Sequence, residues 1–456
     1  MRPTRGIMAL AALGLLTTAM VTGGLWQRMA GDIGSMDRGR TVAYVGFSAG
    51  AGLCYAAAVL LTQARALPLR PALLTVLAMA AIMRVLTLTS PPLLSTDLYR
   101  YVWDGRVQAA GINPYIHLPA DPALAALRDT GAGPEAIYSN INRADTAPTI
   151  YPPTAQAIFA AISLSWPTIW GVKAVMLAFD ALAIGVALLL LRAARLPLER
   201  VLIYAWNPLP VWEFAGGGHI DAAALALSAL ALLAAVWRRP AWAGAALALA
   251  VLCKLLPAAL FPAIWRRWDL RTPLVGAAVI AAGYACYAGA GWRVLGYLPG
   301  YASEEGLNTG GGFFLLRLLG VLGPLPGWAG PAYLAAALAG LLALAAWVSL
   351  RAPLPTDPAA RAIVVCRDAL WLTAAVMAVL SPHYPWYFTA LTIPSVLAPV
   401  PSVLWLTLAA PALYLDHGLG DVAAPAIVFV PFAILLARDL LRRRATPRPA
   451  LAVKGS

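Results

Sequence analysis

Hydrophobic positions along the chain gather into long apolar runs, and polar positions gather between them. Runs at 7–25, 41–62 and 71–90 are followed by about sixty residues without one. They resume at 171–192, 201–216, 219–237, 241–252, 255–265, 273–290, 331–350, 363–381, 387–399, 402–416 and 422–437. A helix needs ~20 apolar residues to cross a bilayer. The two runs on either side of Lys254 are too short for that and read as the arms of a broken helix. The pattern predicts an all-α polytopic membrane protein with about 13 to 14 transmembrane segments, some of them broken. Arg2 and Arg5 ahead of the first run resemble a signal peptide, but another span beginning at 41 favours an uncleaved first helix.

Composition sharpens this picture. Of 456 residues, 61% are hydrophobic and 12% charged, against roughly 45–50% and 25% in a soluble domain, and mean hydropathy is +0.75. These values exclude a soluble multidomain fold, intrinsic disorder, a disulfide scaffold and a nucleic-acid-binding module. Cys54, Cys253, Cys286 and Cys366 lie in or beside apolar runs without CxxC spacing and read as packing residues. Gly216–Gly218 and Gly310–Gly312 lack the Lys-Ser/Thr of a phosphate loop.

The net charge of +13 divides by side. With the N-terminus in the cytoplasm, inner segments hold 21 of the 33 basic residues, among them Arg192, Arg195, Arg200, Arg266 and Arg351. Only five acids fall there, giving an inner balance of +16 and leaving −3 elsewhere. This is the distribution that sets membrane orientation. A crossing at 154–168 would move Arg192, Arg195 and Arg200 outside, so that stretch reads as an amphipathic helix at the outer interface.

The outer loop from about 93 to 150 carries Asp97, Asp104, Asp121, Asp129, Glu135 and Asp145, with Arg100, Arg106, Arg128 and Arg143. As a helix, its first turns put Asp97, Arg100, Tyr101 and Asp104 on one face. The same outer side receives His117, His219, His383 and His417, the turn Gly218-His219-Ile220-Asp221, and Ser381-Pro382-His383-Tyr384-Pro385-Trp386-Tyr387. Lys254, at the helix break, needs a polar cavity because an ammonium in lipid is costly. Together these residues point to an outward-facing polar cleft. With no HExxH or Cys/His cluster, no metal and no cofactor are expected. There is likewise no GxSxG elbow of a serine hydrolase.

In order along the chain, the acidic Tyr-rich start of the loop is followed by Gly111-Ile112-Asn113-Pro114-Tyr115, Tyr151-Pro152-Pro153-Thr154, Val172-Lys173 with Asp180, Asn207-Pro208, Gly218-His219-Ile220-Asp221 and Lys254-Leu255-Leu256-Pro257. This set resembles the GT-C superfamily of membrane glycosyltransferases, and within it the polyprenyl-phosphate-mannose-dependent mannosyltransferases near glycosyltransferase family 87. The catalytic subunit of glycosylphosphatidylinositol mannosyltransferase I is a more distant likeness. The resemblance implies a GT-C-like fold: two N-terminal helices in 1–70, a catalytic module over 71–290 with outer loop 93–170, and a C-terminal transmembrane module over 291–456. It also implies that the helix after Tyr151-Pro152-Pro153 lies along the outer surface. One departure is plain. Many members carry two acids spaced Asp-x-Asp or Glu-x-Asp here, whereas Ser95 stands at the first position and Asp97 alone remains.

By the resemblance, the donor is a polyprenyl phosphate bearing one hexose, most simply mannose, and no nucleotide sugar is used. The acceptor is a lipid or glycan on the periplasmic face of the cell membrane, with both termini cytoplasmic and membrane lipids as the other partners. The transition state has oxocarbenium character. Asp97 is the expected base, with inversion of configuration. Lys254, His219, Arg100 and Arg106 are nominated for the phosphate. Tyr99, Trp103, Tyr115, Tyr151, His383 and Tyr384, with Asp104 and Asp221, are nominated for sugar and acceptor. A transporter or lipid flippase, or a polyprenyl-diphosphate-linked glycan polymerase or ligase, is the alternative.

Overall fold

The computed structural model describes residues 3–29, 38–92, 94–131, 135–307, 309–415 and 422–445. His417, Arg2, Arg448 and Lys454 lie outside them. The chain is 75% helix, and the described residues contain no strand. Helices α1 (Pro3–Met29), α2 (Arg38–Ala64), α3 (Leu69–Leu88) and α6 (Ile169–Ala193) follow the first, second, third and fourth apolar runs closely. With Ala329–Leu350, Pro358–Leu380 and Ala423–Arg442, seven helices among the described residues are long and apolar enough to cross a membrane, or eight if the bent pair Arg271–Ala285 and Ala288–Glu304 is one span. This is fewer than the 13 to 14 segments expected. The remaining runs form shorter apolar helices, such as Asp221–Val236, Pro240–Val251 and Pro401–Leu415, or are broken at proline.

The run at 201–216 shows how. Leu202–Ala205 is one α turn, Asn207-Pro208 interrupts it, and Val211–Gly216 is a π-helix. Proline removes a backbone donor and restrains its predecessor. In lipid the freed backbone groups need other partners. Tyr55 donates to the Ile203 carbonyl at 2.8 Å and Arg84 to the Ala205 carbonyl at 2.7 Å. Asn207 accepts from the Leu209 amide at 3.1 Å and donates to Thr407 at 2.9 Å. Arg84 also pairs with Asp180 at 2.6 Å, and Tyr204 donates to the same carboxylate. Asp180, expected as part of a functional helix motif, therefore ties α3, α6 and the broken segment together. Lys173, on the same helix, donates to the Ser90 carbonyl and lies 5.0 Å from the Trp170 ring centre.

Two helices outside this bundle position the loop. α4 (Asp97–Ala109) packs on α5 (Pro153–Ser165). At 13 residues, α5 is about 20 Å long at 1.5 Å per residue, short of the hydrocarbon thickness. The two backbones meet at Gly105, where a Cβ would stand 2.2 Å from the Phe159 carbonyl oxygen. Helices α7 (Asp221–Val236) and α8 (Pro240–Val251) form a hairpin against α6 and Arg271–Ala285. Leucines at Leu53, Leu60, Leu74 and Leu342 are more than half exposed, as expected of a surface solvated by acyl chains.

Candidate active site

The site assembles where broken segments end. Proline starts α5, so the Thr154 and Ala155 amides are free at its N-terminus. Both donate to the Leu252 carbonyl, at 3.0 and 3.1 Å, just before the break at Lys254. The bend of 111° between Arg271–Ala285 and Ala288–Glu304 brings Tyr297 alongside, its amide donating to the Thr149 carbonyl at 3.1 Å. These contacts close a cavity of about 510 Å³. Asp97, Arg100, Tyr151, Lys254 and Tyr384 line it, together with Asn142, Arg143, Tyr297, Tyr301, Trp386 and Tyr387.

Asp97 opens α4 at the cavity wall. Asn142 donates to its Oδ1 at 3.5 Å, and Ser95 Oγ accepts from its amide at 3.2 Å. Burial pushes its carboxyl above the ordinary carboxylate range, Lys254 pulls it down, and the Asp221 carboxylate pushes it up again. Lys254 Nζ lies 2.7 Å from Asp221 Oδ2 and 4.4 Å from the Tyr387 ring centre. Tyr387 and Tyr301 share a hydroxyl contact of 2.8 Å. Arg143 pairs with Glu304 at 2.9 Å. Tyr384 stacks on Trp386 at 4.6 Å, and Trp386 stacks on His219 at 4.1 Å.

Several residues expected on the wall stand elsewhere. His219 is 1% exposed, behind Trp386, with Nδ1 3.9 Å from Asp97 Oδ2 and Nε2 3.3 Å from Glu213 Oε2. It reaches the cavity through Asp97, and Asp221 reaches it through Lys254. Asp104 is buried, accepting from Arg100 Nε at 2.8 Å, Gln156 Nε2 at 3.1 Å and the Thr149 hydroxyl. Arg100 also donates to the Ala147 carbonyl at 3.0 Å, so both of its bonding edges hold the loop. Arg106 turns away, to the Leu127 carbonyl at 3.0 Å and Asp129 at 3.5 Å. Two backbone amides, Ile137 and Tyr138, donate to Asp129 at 2.8 Å each.

Tyr99 and Trp103 are buried, Trp103 against Tyr138. Tyr115 donates to the Tyr151 carbonyl at 2.7 Å and meets the Tyr287 ring. His383 is held by Glu305 at 3.2 Å and the Gly312 carbonyl at 3.1 Å. In each case a hydrogen-bond or ring partner inside the protein occupies the group that sequence pattern assigned to substrate. Asn142, Arg143, Tyr297, Tyr301, Trp386, Tyr387 and Glu213 were not singled out as site residues. The Ser381–Tyr387 stretch signalled two of them, and its aromatic density was the available cue. Among the described residues, no three His, Cys, Asp or Glu side chains group as a metal site.

Aromatic faces suit sugar rings, a lysine beside them suits a phosphate, and a carboxylate lifted by burial suits proton abstraction. The protein is a membrane glycosyltransferase. Residues 4–269, more than half the chain, match the MptA_B family, described as alpha-(1->6)-mannopyranosyltransferase, N-terminal domain, and the chain belongs to that family. Its activity is accordingly that of an α-mannosyltransferase, which takes precedence over the transporter reading. No curated protein and no solved structure matches the chain.

Proposed function

We propose that the enzyme transfers one mannose from a polyprenyl phosphate to a hydroxyl of a lipid-linked or glycan acceptor, on the outer face of the membrane. The juxtaposition of Asp97 and Lys254 on one cavity wall, at the ends of apolar segments, carries this reading. The isoprenoid tail stays in lipid while the mannosyl phosphate enters the cavity. Lys254 Nζ receives the departing phosphate. Asp97 takes the proton of the acceptor hydroxyl as the oxygen–carbon bond forms and the carbon–phosphate-oxygen bond breaks. Tyr384, backed by Trp386, offers a ring face to the sugar, and Arg143 supplies a second cation at the rim.

A single displacement inverts the anomeric carbon. An α product from this site therefore requires a donor whose mannosyl phosphate is β-linked. Detergent-purified enzyme should consume β-mannosyl phosphoryl polyprenol and leave its α anomer untouched, with an alkyl α-mannoside as acceptor. Use of the α anomer, or of a nucleotide sugar alone, would overturn this reading.

A further inference from the structure

His219 sits in line between two carboxylates, with Nδ1 toward Asp97 and Nε2 toward Glu213. Glu213 is 3% exposed and lies on the π-helix Val211–Gly216, a local widening that is rare outside functional sites. The Glu213 carboxylate is itself fixed, because the Tyr414 hydroxyl lies 3.0 and 3.2 Å from its two oxygens. The imidazole plane is set by the Trp386 stack, and the His219 amide donates to the Glu213 carbonyl at 3.1 Å. Gly218, just before it, has φ +69°, the left-handed region that glycine enters without strain. The Trp386 stack, the amide bond to Glu213 and the turn at Gly218 together hold the ring beside the Glu213 carboxylate.

We infer that Glu213 is a positioning residue that acts through His219: it accepts the Nε2 proton and turns Nδ1 to Asp97, so that the ring relays the acceptor's proton. The inference rests on Asp97 being the base. In the relay, the acceptor O–H bond breaks, its proton passes to Asp97, and from there it moves to Nδ1 once substrate binding closes the 3.9 Å between them to hydrogen-bond distance. The resulting imidazolium lies beside the Glu213 carboxylate until its proton returns through Asp97 to the departing polyprenyl phosphate, which resets both groups for the next turnover. Other groups facing Asp97 are Lys254, Asp221, Arg143 and Asn142, with Tyr101, Tyr151 and Tyr384 around them. None of these contacts the far side of the His219 ring as Glu213 does.

The test is a double-mutant cycle with β-mannosyl phosphoryl polyprenol and an alkyl α-mannoside. Glu213→Leu should lower kcat by about tenfold or more, within the ~10²–10⁴-fold that a proton-transfer group contributes. Donor KM should stay unchanged. Glu213→Gln, which keeps an acceptor and the shape, should lose less and separates positioning from misfolding. The pair Glu213→Leu and His219→Asn should be no slower than His219→Asn alone, because both act on one path. Additive losses, or a Glu213→Leu effect confined to KM, would overturn the relay. If Asp97→Asn is inactive while Glu213→Leu keeps full kcat, only the relay falls. Substantial turnover by Asp97→Asn removes the base assignment, and the relay with it.

Discussion

Lys254 and Asp221 meet at 2.7 Å across the start of α7 and the break after α8, with Lys254 side-chain exposure at 18% and Asp221 at 7%. A cation held this way is already desolvated and oriented when a phosphate arrives. Lys254→Met should raise the donor KM at least ~10-fold, in keeping with the loss of a charge-assisted contact. Asp221→Asn frees the ammonium and strips a buried charge of its partner, a change that costs roughly 3–5 kcal/mol in comparable pairs. Lys254→Met strands the Asp221 carboxylate in the same way, so thermal unfolding in detergent should show a lowered Tm for both, and donor saturation curves separate them: the large rise in KM belongs to Lys254→Met.

Asp97→Asn keeps the size of the side chain and its contacts with Asn142 and Ser95, but it cannot accept a proton. Transfer should fall at least ~100-fold, the usual contribution of a general base. The protein should still purify as a folded species with an unchanged Tm. A parallel loss of Tm and activity would indicate that the carboxylate is needed for structure.

The pH profile has a defined sign. A base must be ionised, so activity disappears as pH falls through its pKa. Burial raises the Asp97 pKa and Lys254 lowers it. The acid limb of kcat should therefore lie above the ~3.9 of a free aspartate. In Lys254→Met the counter-charge is gone while Asp221 remains, and the limb should move to still higher pH. Lys254→Arg should leave it near the wild-type position.

Asp104 receives three donors from side chains and is buried, so its role is to hold the loop to α4. Asp104→Ala should reduce stability by ~3–5 kcal/mol by stranding the Arg100 charge. Gly105→Ala at the α4–α5 crossing should cost ~1–3 kcal/mol as an overpacked contact. Chemical or thermal denaturation would measure both. Any activity that survives should retain the wild-type donor KM.

Added chelator should leave the rate within about twofold, since the Lys254 ammonium beside the Asp97 carboxylate repels a divalent cation. Assays with and without EDTA at constant ionic strength decide this. A rate that collapses and returns with a divalent cation would contradict it.

Much of this architecture is legible in the pattern of residues. Uninterrupted apolar runs specify α1, α2, α3 and α6 because a long helix is the one way to satisfy the backbone in lipid. The start of α4 and the cavity positions of Asp97 and Lys254 were legible too, through charge placed where charge is expensive. What pattern does not encode is which polar groups are already taken. Arg100 and Arg106 read as free cations beside a cleft, yet one is bound to Asp104 and Ala147 and the other to Leu127 and Asp129. Those partners lie up to 47 positions away, and loop conformation decides them. Asn142 and Arg143 were missed for the same reason, since only a folded loop brings them to Asp97. The segment 201–216 has the composition of a span, and local proline geometry rather than hydropathy divides it.

The bond from Arg100 to the Ala147 carbonyl and the bond from the Thr149 hydroxyl to Asp104 fasten the C-terminal end of the outer loop back onto α4, the helix from which the loop sets out. Ahead of that fastening the chain carries Asn142 and Arg143 to the rim, where Asn142 donates to Asp97, while Lys254 stands apart at the break after α8. The loop and the catalytic carboxylate are thereby mechanically coupled. The intervening stretch is a tethered arm: a change in its length would shift Asn142 and Arg143 against Asp97 while leaving Lys254 where Asp221 holds it.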